Sequence, residues 1–170
     1  MTVLIADTSG LVSLGTAADH DPNPLDLCLG VYDVHVPQLV VKELREIASY
    51  TDAHADAATA VLDQNDAFSV TSVTLDADFP LDDGENAAVT LANKLDAELF
   101  LCDEFNSLGL VHASLADTRL VTTPTLLSVF VRTEQLPSMD AIEILEAISA
   151  ARSWKSNSYV QRARALLNDE

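Results

Sequence analysis

A chain of 170 residues, 48% of them apolar, is long enough for one domain with an ordinary hydrophobic core. Its 27 acidic residues outnumber its 9 basic ones, and the formal net charge of −18 excludes binding of a nucleic acid through the overall field of the protein. No apolar run approaches the roughly 18 residues of a membrane span, and the N-terminus lacks the basic region of a signal peptide, so we expect a soluble, cytoplasmic protein.

Strand and helix patterns alternate along the chain. Short and mostly apolar runs predict strands at 3–6, 34–36, 68–73, 98–102 and 119–122. Apolar residues at helical spacing predict helices at 8–17, 25–31, 37–48, 52–64, 85–95, 104–115, 125–132, 138–151 and 156–168. This alternation predicts a three-layer α/β/α sandwich with a mostly parallel central sheet. We expect residues 1–135 to form this α/β domain and residues 136–170 to form a C-terminal helical extension packed on it.

The sequence argues against two common kinds of site, a nucleotide site and a zinc site. The loop Asp7-Thr8-Ser9-Gly10 after the first strand contains one glycine, whereas dinucleotide and P-loop sites use several. Cys28 and Cys102 lie far apart in apolar stretches, so we predict buried free thiols rather than a disulfide. No spacing of cysteines and histidines is typical of a zinc site.

Two aspartates directly follow predicted strands. Asp7 ends the strand 3–6, and Asp103 ends the strand 98–102. If these strands are parallel neighbours, both side chains emerge at the same edge of the sheet, where open α/β sheets bind their ligands. Each aspartate is also a candidate N-cap of the helix that follows it.

Two glutamates lie on predicted helices. Glu43 lies beside the apolar face of the helix that starts at Pro37, and Glu85 opens the helix 85–95. Each has a structural alternative, because Glu43 fits a solvated helix residue and Glu85 fits a capping box with Asp82. Carboxylates brought together would repel by about 3 kcal/mol per pair at about 5 Å and an effective dielectric near 20. Such a cluster requires protons or a divalent cation, and oxygen ligands suit Mg²⁺ or Mn²⁺.

The order of these acids along the chain resembles the PIN-domain ribonucleases. The resemblance lies in four segments, Val3–Ser9, Val36–Leu44, Asp83–Ala92 and Leu99–Asp103. In that family four acidic residues bind Mg²⁺ or Mn²⁺ and hydrolyse RNA. The resemblance implies that the catalytic metal ligands are Asp7, Glu43, Glu85 and Asp103, with Ser9 as an auxiliary residue.

The segment after Asp103 departs from the family pattern. Many members continue with a second aspartate and a downstream arginine, whereas this chain has no arginine between Asp103 and Arg119. Glu104 is a candidate to replace the second aspartate, and Asn106 is a candidate to act at the edge of the site. The arginine that usually contacts the substrate phosphate in this family is therefore missing from its usual position.

The charges are unevenly distributed. Acids are scattered along the chain, as is typical of proteins from salt-loving archaea that stay soluble in molar salt, and a strongly basic partner is the alternative explanation. Near the C-terminus no acid occurs between Glu146 and Asp169. The candidate contacts to RNA or a partner in that segment are Arg152, Lys155, Arg162 and Arg164, and the alternative is a solvated helix face.

The resemblance implies a Mg²⁺- or Mn²⁺-dependent endoribonuclease. Within the family it favours the toxin of a toxin–antitoxin pair, with a small antitoxin protein as partner and a homodimer as the assembly, and RNA processing is the alternative role. An inactive PIN-like module that binds protein or RNA is the alternative from another class. A haloacid-dehalogenase-type phosphatase would need Asp-x-Asp after the first strand, and Ser9 occupies the second of those positions.

Overall fold

Five parallel strands form the central sheet in the structure of the protein, a computed structural model that describes residues 1–154 and 156–169. The strands are β1 (Val3–Ala6), β2 (Asp33–Pro37), β3 (Ser69–Thr71), β4 (Leu99–Leu101) and β5 (Arg119–Val121). Their order in the sheet is β3-β2-β1-β4-β5, and every neighbouring pair is parallel. The strands that carry Asp7 and Asp103 are therefore neighbours at the centre of the sheet.

Helices connect the strands. They are α1 (Thr8–Thr16), α2 (Pro24–Val31), α3 (Gln38–Ala48), α4 (Ala53–Leu62), α5 (Asp83–Leu95), α6 (Leu108–Ser114), α7 (Thr123–Arg132), α8 (Ser138–Arg152) and α9 (Ser158–Asn168). Polar side chains accept a hydrogen bond from the first turn of several of them, as N-caps do. These caps are Asp7, Asn23, Asp52, Asp82, Thr122 and Asn157.

The two faces of the sheet bury different helices. Side chains alternate between the faces of a strand, so Leu4 and Ala6 of β1 join the larger core with α1 to α4 and α7 to α9. Ile5 joins the smaller core with α5 and α6, where it packs with residues such as Val89 and Phe100. Helices therefore cover both faces, and the predicted α/β/α sandwich with a parallel sheet is confirmed.

The C-terminal helices pack into the larger core. Ile144 and Ile148 of α8 and Val160 and Ala163 of α9 are buried there. α8 contacts α1 and α7, and α9 contacts α7 and α8. The division of the chain at residue 135 stays a prediction.

The helix predicted at 104–115 is wrong in its first turn. Residues 104–107 form turns in which Phe105 N donates to Asp103 O (2.9 Å) and Ser107 N donates to Glu104 O (2.9 Å), and α6 begins only at Leu108. The physical reason is the Asp103 carboxylate, which binds Thr123 and does not cap a helix that starts at residue 104.

Two further predictions concern the cysteines and the absence of a membrane-spanning helix. Cys28 and Cys102 are buried free thiols, as predicted. Across residues 1–154 and 156–169, no helix combines the length and the apolar character that crossing a membrane requires.

Candidate functional site

The carboxyl ends of β1 and β4 bring two aspartates to the same edge of the sheet. Ala6 lies opposite Leu101 in the ladder, and Asp7 N donates to Leu101 O (3.2 Å). Asp103 lies two residues beyond Leu101 and, like Asp7, is buried. We call the carboxylates that gather here the acidic edge, which consists of Asp7, Glu43, Glu85 and Asp103.

Asp7 serves as the N-cap of α1. Its Oδ1 accepts hydrogen bonds from Gly10 N (3.0 Å) and Ser9 Oγ (2.7 Å). The alternative that Asp7 caps the helix after the first strand is therefore confirmed. Burial raises the pKa of Asp7 to about 6, although hydrogen bonds to its carboxylate from Gly10, the buried Cys102 thiol and Ser9 oppose that rise.

Ser9 connects the two aspartates. Its hydroxyl donates to Asp7 Oδ1 and accepts from the backbone N–H of Asp103 (2.9 Å). One hydroxyl thus fixes the distance between the ends of β1 and β4, which fits the auxiliary role predicted for Ser9.

The Asp103 carboxylate turns towards the start of α7. Asp103 Oδ1 accepts from Thr123 N (2.7 Å), and Oδ2 accepts from Thr123 Oγ1. Burial raises the pKa of Asp103, and the bonds from Thr123 and then Ser13 and the charge of Arg152 lower it. Asp103 therefore anchors α7, and each of its oxygens keeps a second lone pair that a metal ion can use.

Glu43 reaches from α3 to the N-terminus of α5. Its Oε2 accepts from Thr8 Oγ1 (3.2 Å), and its Oε1 lies so close to Gly84 that a Cβ placed there would be 1.8 Å away. Only glycine leaves room for this carboxylate. Burial raises the pKa of Glu43, and the bond from Thr8 opposes the rise.

Glu85 follows Gly84 in the first turn of α5. Its backbone N–H donates to Asp82 Oδ1 (2.8 Å), which is one half of the predicted capping box. Its Oε2 is buried, and no group in residues 1–154 and 156–169 donates a hydrogen bond to it. Burial, a carboxyl hydrogen bond with Asp82, and then the charges of Asp82, Asp7 and Glu104 raise the pKa of Glu85 to about 8.

The donor set of the acidic edge is suited to a hard divalent cation. Its ligands are carboxylate oxygens, and Glu85 Oε2 is a buried acceptor without a partner among the described residues. In the part of the chain that the structure describes, no three histidine, cysteine or acidic side chains converge into a formed metal site. Asp7, Glu43, Glu85 and Asp103 are the candidate ligands, and their role in binding a metal stays a prediction.

Replacing Glu85 by glutamine is expected to stabilise the metal-free protein at alkaline pH. Because the pKa of Glu85 is higher in the folded protein than in the unfolded chain, the folded state binds the extra proton, and that stability is lost as the pH rises through about 8. Glutamine carries no charge to bury. In EDTA, we expect the melting midpoint of Glu85→Gln to equal that of the wild type at about pH 4 and to exceed it by at least about 4 °C at about pH 9.

A matched control for this variant is Glu143→Gln, which removes the same charge from an exposed position on α8. It corrects for the relief of overall charge repulsion, which also grows with pH. A difference between Glu85→Gln and the wild type that does not change with pH would contradict the assigned pKa.

An open cleft adjoins Glu43 and Asp103 of the acidic edge, and Asp7 and Glu85 line neither of its two cavities. One cavity of about 450 Å³ is lined by Asp103, Glu104, Asn106 and Arg152 among others, and a neighbouring cavity of about 390 Å³ is lined by Glu43, Glu104 and Arg152 among others. We call these two cavities together the cleft. Glu104 and Asn106 are exposed at its wall, so the residues proposed as replacements at the departure from the family pattern are accessible to a ligand.

The predicted basic contacts are scattered. Arg152 lines the cleft, Arg162 is exposed on α9, and Arg164 donates to Glu146 (2.5 Å). Lys155 lies outside the described residues. The roles of these side chains in binding RNA or a partner stay predictions.

Sequence reasoning missed two residues of the site. Thr123 holds the Asp103 carboxylate from 20 positions downstream, and no spacing in the sequence signals that contact. His54 at the start of α4 lines both cavities of the cleft, although it has no metal-like spacing to any other histidine. Both residues meet the site only through the folded sheet and its helices.

Comparison with known families gives one match. A family model described as "DUF3368: PIN domain" matches residues 3–169, which is almost the whole chain. Among curated proteins nothing matches.

Proposed function

The chain belongs to the PIN-domain family, and on that premise we propose that it is a Mg²⁺- or Mn²⁺-dependent endoribonuclease. PIN domains are generally nucleases, so the family supports hydrolysis of a phosphodiester bond. The observation that carries the proposal is the buried Oε2 of Glu85, which lies near other carboxylates and accepts no hydrogen bond from any described residue. A divalent cation would satisfy that acceptor and offset the cost of burying the charged carboxylates, which is the main cause of the raised pKa values of Asp7 and Glu85, as well as their smaller repulsion by neighbouring acids.

The residues at the acidic edge have two kinds of part in this proposal. The four carboxylates hold the cation, which when bound polarises the scissile phosphate and lowers the pKa of a water. Ser9 orients Asp7, and Asp103 also fixes the end of β4 to α7 through Thr123. These contacts keep the carboxylates in place before the substrate arrives.

Glu104 is the proposed proton acceptor. It is exposed and lines both cavities of the cleft, so an attacking water can reach its carboxylate. The water oxygen forms a bond to phosphorus, its proton passes to Glu104, and the bond from phosphorus to the 3′ oxygen breaks. The 3′ oxygen takes a proton from solvent, so the products carry a 5′-phosphate and a 3′-hydroxyl.

The direct test is cleavage of a single-stranded RNA by the purified protein at about 1 M KCl, where the Debye length is about 3 Å and the charge of −18 is screened. We expect cleavage with Mn²⁺ or Mg²⁺ and none in EDTA. End-group analysis should find the 5′-phosphate and 3′-hydroxyl. Cleavage in EDTA, or products with a cyclic phosphate, would contradict the metal-dependent mechanism.

The proposed biological role is the toxin of a toxin–antitoxin pair. The open cleft and the acidic edge would accept a basic segment of a small antitoxin protein, and a homodimer is the proposed assembly. A small overlapping reading frame upstream that encodes a DNA-binding protein would support this role. Light scattering of the purified chain measures the assembly.

A binding module without catalysis is the second candidate, and one observation favours it. This chain has no arginine between Asp103 and Arg119, where many members of the family carry one. For such a module we expect RNA or protein to bind and Mn²⁺ to raise the melting midpoint, with no cleavage at any salt concentration.

A further inference from the structure

The cleft contains a single arginine or lysine side chain among the described residues. Arg152, the last residue of α8, lines both cavities, and no other described arginine or lysine lines either one. An RNA backbone brings a negative charge with every nucleotide to an edge that is already acidic. A cation close to the path of the backbone is therefore needed, and Arg152 is in that position.

Aromatic side chains hold Arg152 beside the acids. Its guanidinium lies 5.8 Å from the ring centroid of Trp154, within the range of a cation–π contact. The Trp154 ring is buried and packs edge-on against Phe105, with centroids 5.0 Å apart. Phe105 belongs to the turn that follows Asp103 and Glu104, so one aromatic contact ties the end of α8 to the loop of the acidic edge. Tyr159 of α9 stacks on Phe105, with the ring centroids 5.4 Å apart.

The charge of Arg152 remains available. The ion pairs in the described part of the chain are His35 with Asp33 and Arg164 with Glu146, and Arg152 takes part in neither. Its charge nevertheless acts on the acidic edge. Burial is the largest influence on the pKa of Asp103 and raises it, whereas hydrogen bonds from Thr123 and Ser13 and, to a smaller extent, the charge of Arg152 lower it. A half-buried guanidinium without a carboxylate partner is suited to bind a phosphate through two parallel hydrogen bonds.

We propose that Arg152 binds a backbone phosphate of the RNA in the cleft, so that the C-terminal helices complete the active site. This inference rests on the proposed function. It gives the phosphate contact to a residue far downstream of Asp103, and it makes α8 part of the site as well as part of the core.

The test measures RNA binding and cleavage separately. Affinity is measured by fluorescence anisotropy of a short labelled single-stranded RNA with Ca²⁺ in place of Mn²⁺, and cleavage is measured with Mn²⁺ at the same salt concentration. We expect Arg152→Ala to weaken binding about tenfold or more and to raise KM by a similar factor, with a smaller change in kcat. Arg152→Lys should recover part of the affinity, because it keeps the charge and loses the planar fork.

Arg132→Ala is the matched control. Arg132 is exposed at the end of α7 and lines a different cavity together with Arg119, so the variant changes the net charge equally without touching the cleft. Its affinity and KM should equal those of the wild type. An equal loss in both variants would assign the effect to overall charge and overturn the inference.

The remaining outcomes separate the inference from the proposed function. A wild type that cleaves RNA, with Arg152→Ala unchanged in affinity and KM, overturns the role of Arg152 and leaves the nuclease intact. A wild type that binds RNA without cleaving it refutes the nuclease, and the affinities alone then decide on Arg152. A wild type that neither binds nor cleaves overturns both. If Arg152→Ala lowers the melting midpoint, Arg152→Gln, which keeps most of the side-chain stem, replaces it.

Discussion

Asp7→Asn is expected to abolish metal-dependent RNA cleavage while leaving the fold intact. Even residues that only orient metal ligands cost about 10–100-fold in metal affinity or activity when they are replaced, so loss of a direct ligand should cost at least about 100-fold. Asparagine is as good an N-cap as aspartate. Its Oδ1 can still accept from Gly10 N and Ser9 Oγ, so α1 should begin as before. The measurement is the initial rate of cleavage with Mn²⁺, together with the melting midpoint.

Asp96→Asn is the control for this substitution. Asp96 lies just beyond the C-terminal end of α5 in the left-handed region, at φ 48°, which asparagine tolerates well. The variant makes the same chemical change on an exposed residue at the other end of the helix that carries Glu85. We expect wild-type activity from it. Full activity in Asp7→Asn would remove Asp7 from the metal site and with it the basis of the proposed mechanism.

Gly84→Ala is expected to displace Glu43 with little cost in stability. A Cβ at residue 84 would lie 1.8 Å from Glu43 Oε1, so the carboxylate must swing away and lose its bond from Thr8. The displaced atoms are the end of a flexible side chain, and alanine is favoured over glycine within a helix by up to about 1 kcal/mol. We therefore expect cleavage to fall by about 10–100-fold. The melting midpoint should stay within about 4 °C of the wild type.

Gly30→Ala makes the same change where it should have no effect on activity. Gly30 lies in α2, and a Cβ there meets no atom within 4 Å. If Gly84→Ala cleaves RNA at the wild-type rate, Glu43 does not need to occupy the N-terminus of α5, and its predicted role as a metal ligand is wrong. A large drop in the melting midpoint would instead show that helix α5 itself has shifted.

The fold followed closely from sequence patterns because those patterns are local. The apolar run Val3–Ala6 can only be buried as a central strand, and the caps Asp7 and Asp82 mark where α1 and α5 begin. The helical turn predicted directly after β4 was wrong because it depends on a contact between residues that are distant in sequence. Whether Asp103 caps a helix at residue 104 depends on Thr123, and that contact exists only after β5 has paired with β4.

In the candidate site, too, some features could be predicted from local sequence and others could not. The order of Asp7, Glu43, Glu85 and Asp103 along the chain was visible in the sequence because each follows a strand or lies in the first turns of a helix. The direction of each carboxylate was not visible. Asp103 turns towards α7 and Glu43 lies over Gly84, and these directions result from packing between elements that are distant in sequence. The sequence pattern therefore identifies the residues of the acidic edge, and packing determines the direction of their side chains.

The contacts at the acidic edge span most of the length of the chain. Asp7 is among the first residues to be made, whereas Thr123, which binds the Asp103 carboxylate, and Arg152, which lines the cleft, follow much later. During synthesis on the ribosome, domains fold from the N-terminus onwards. A growing chain that ends before residue 123 has no partner for the Asp103 carboxylate, and one that ends before residue 152 has no cation in the cleft. The contacts of Asp103 with Thr123 and the placement of Arg152 in the cleft can therefore form only late in synthesis, after residue 123 and then residue 152 have been added.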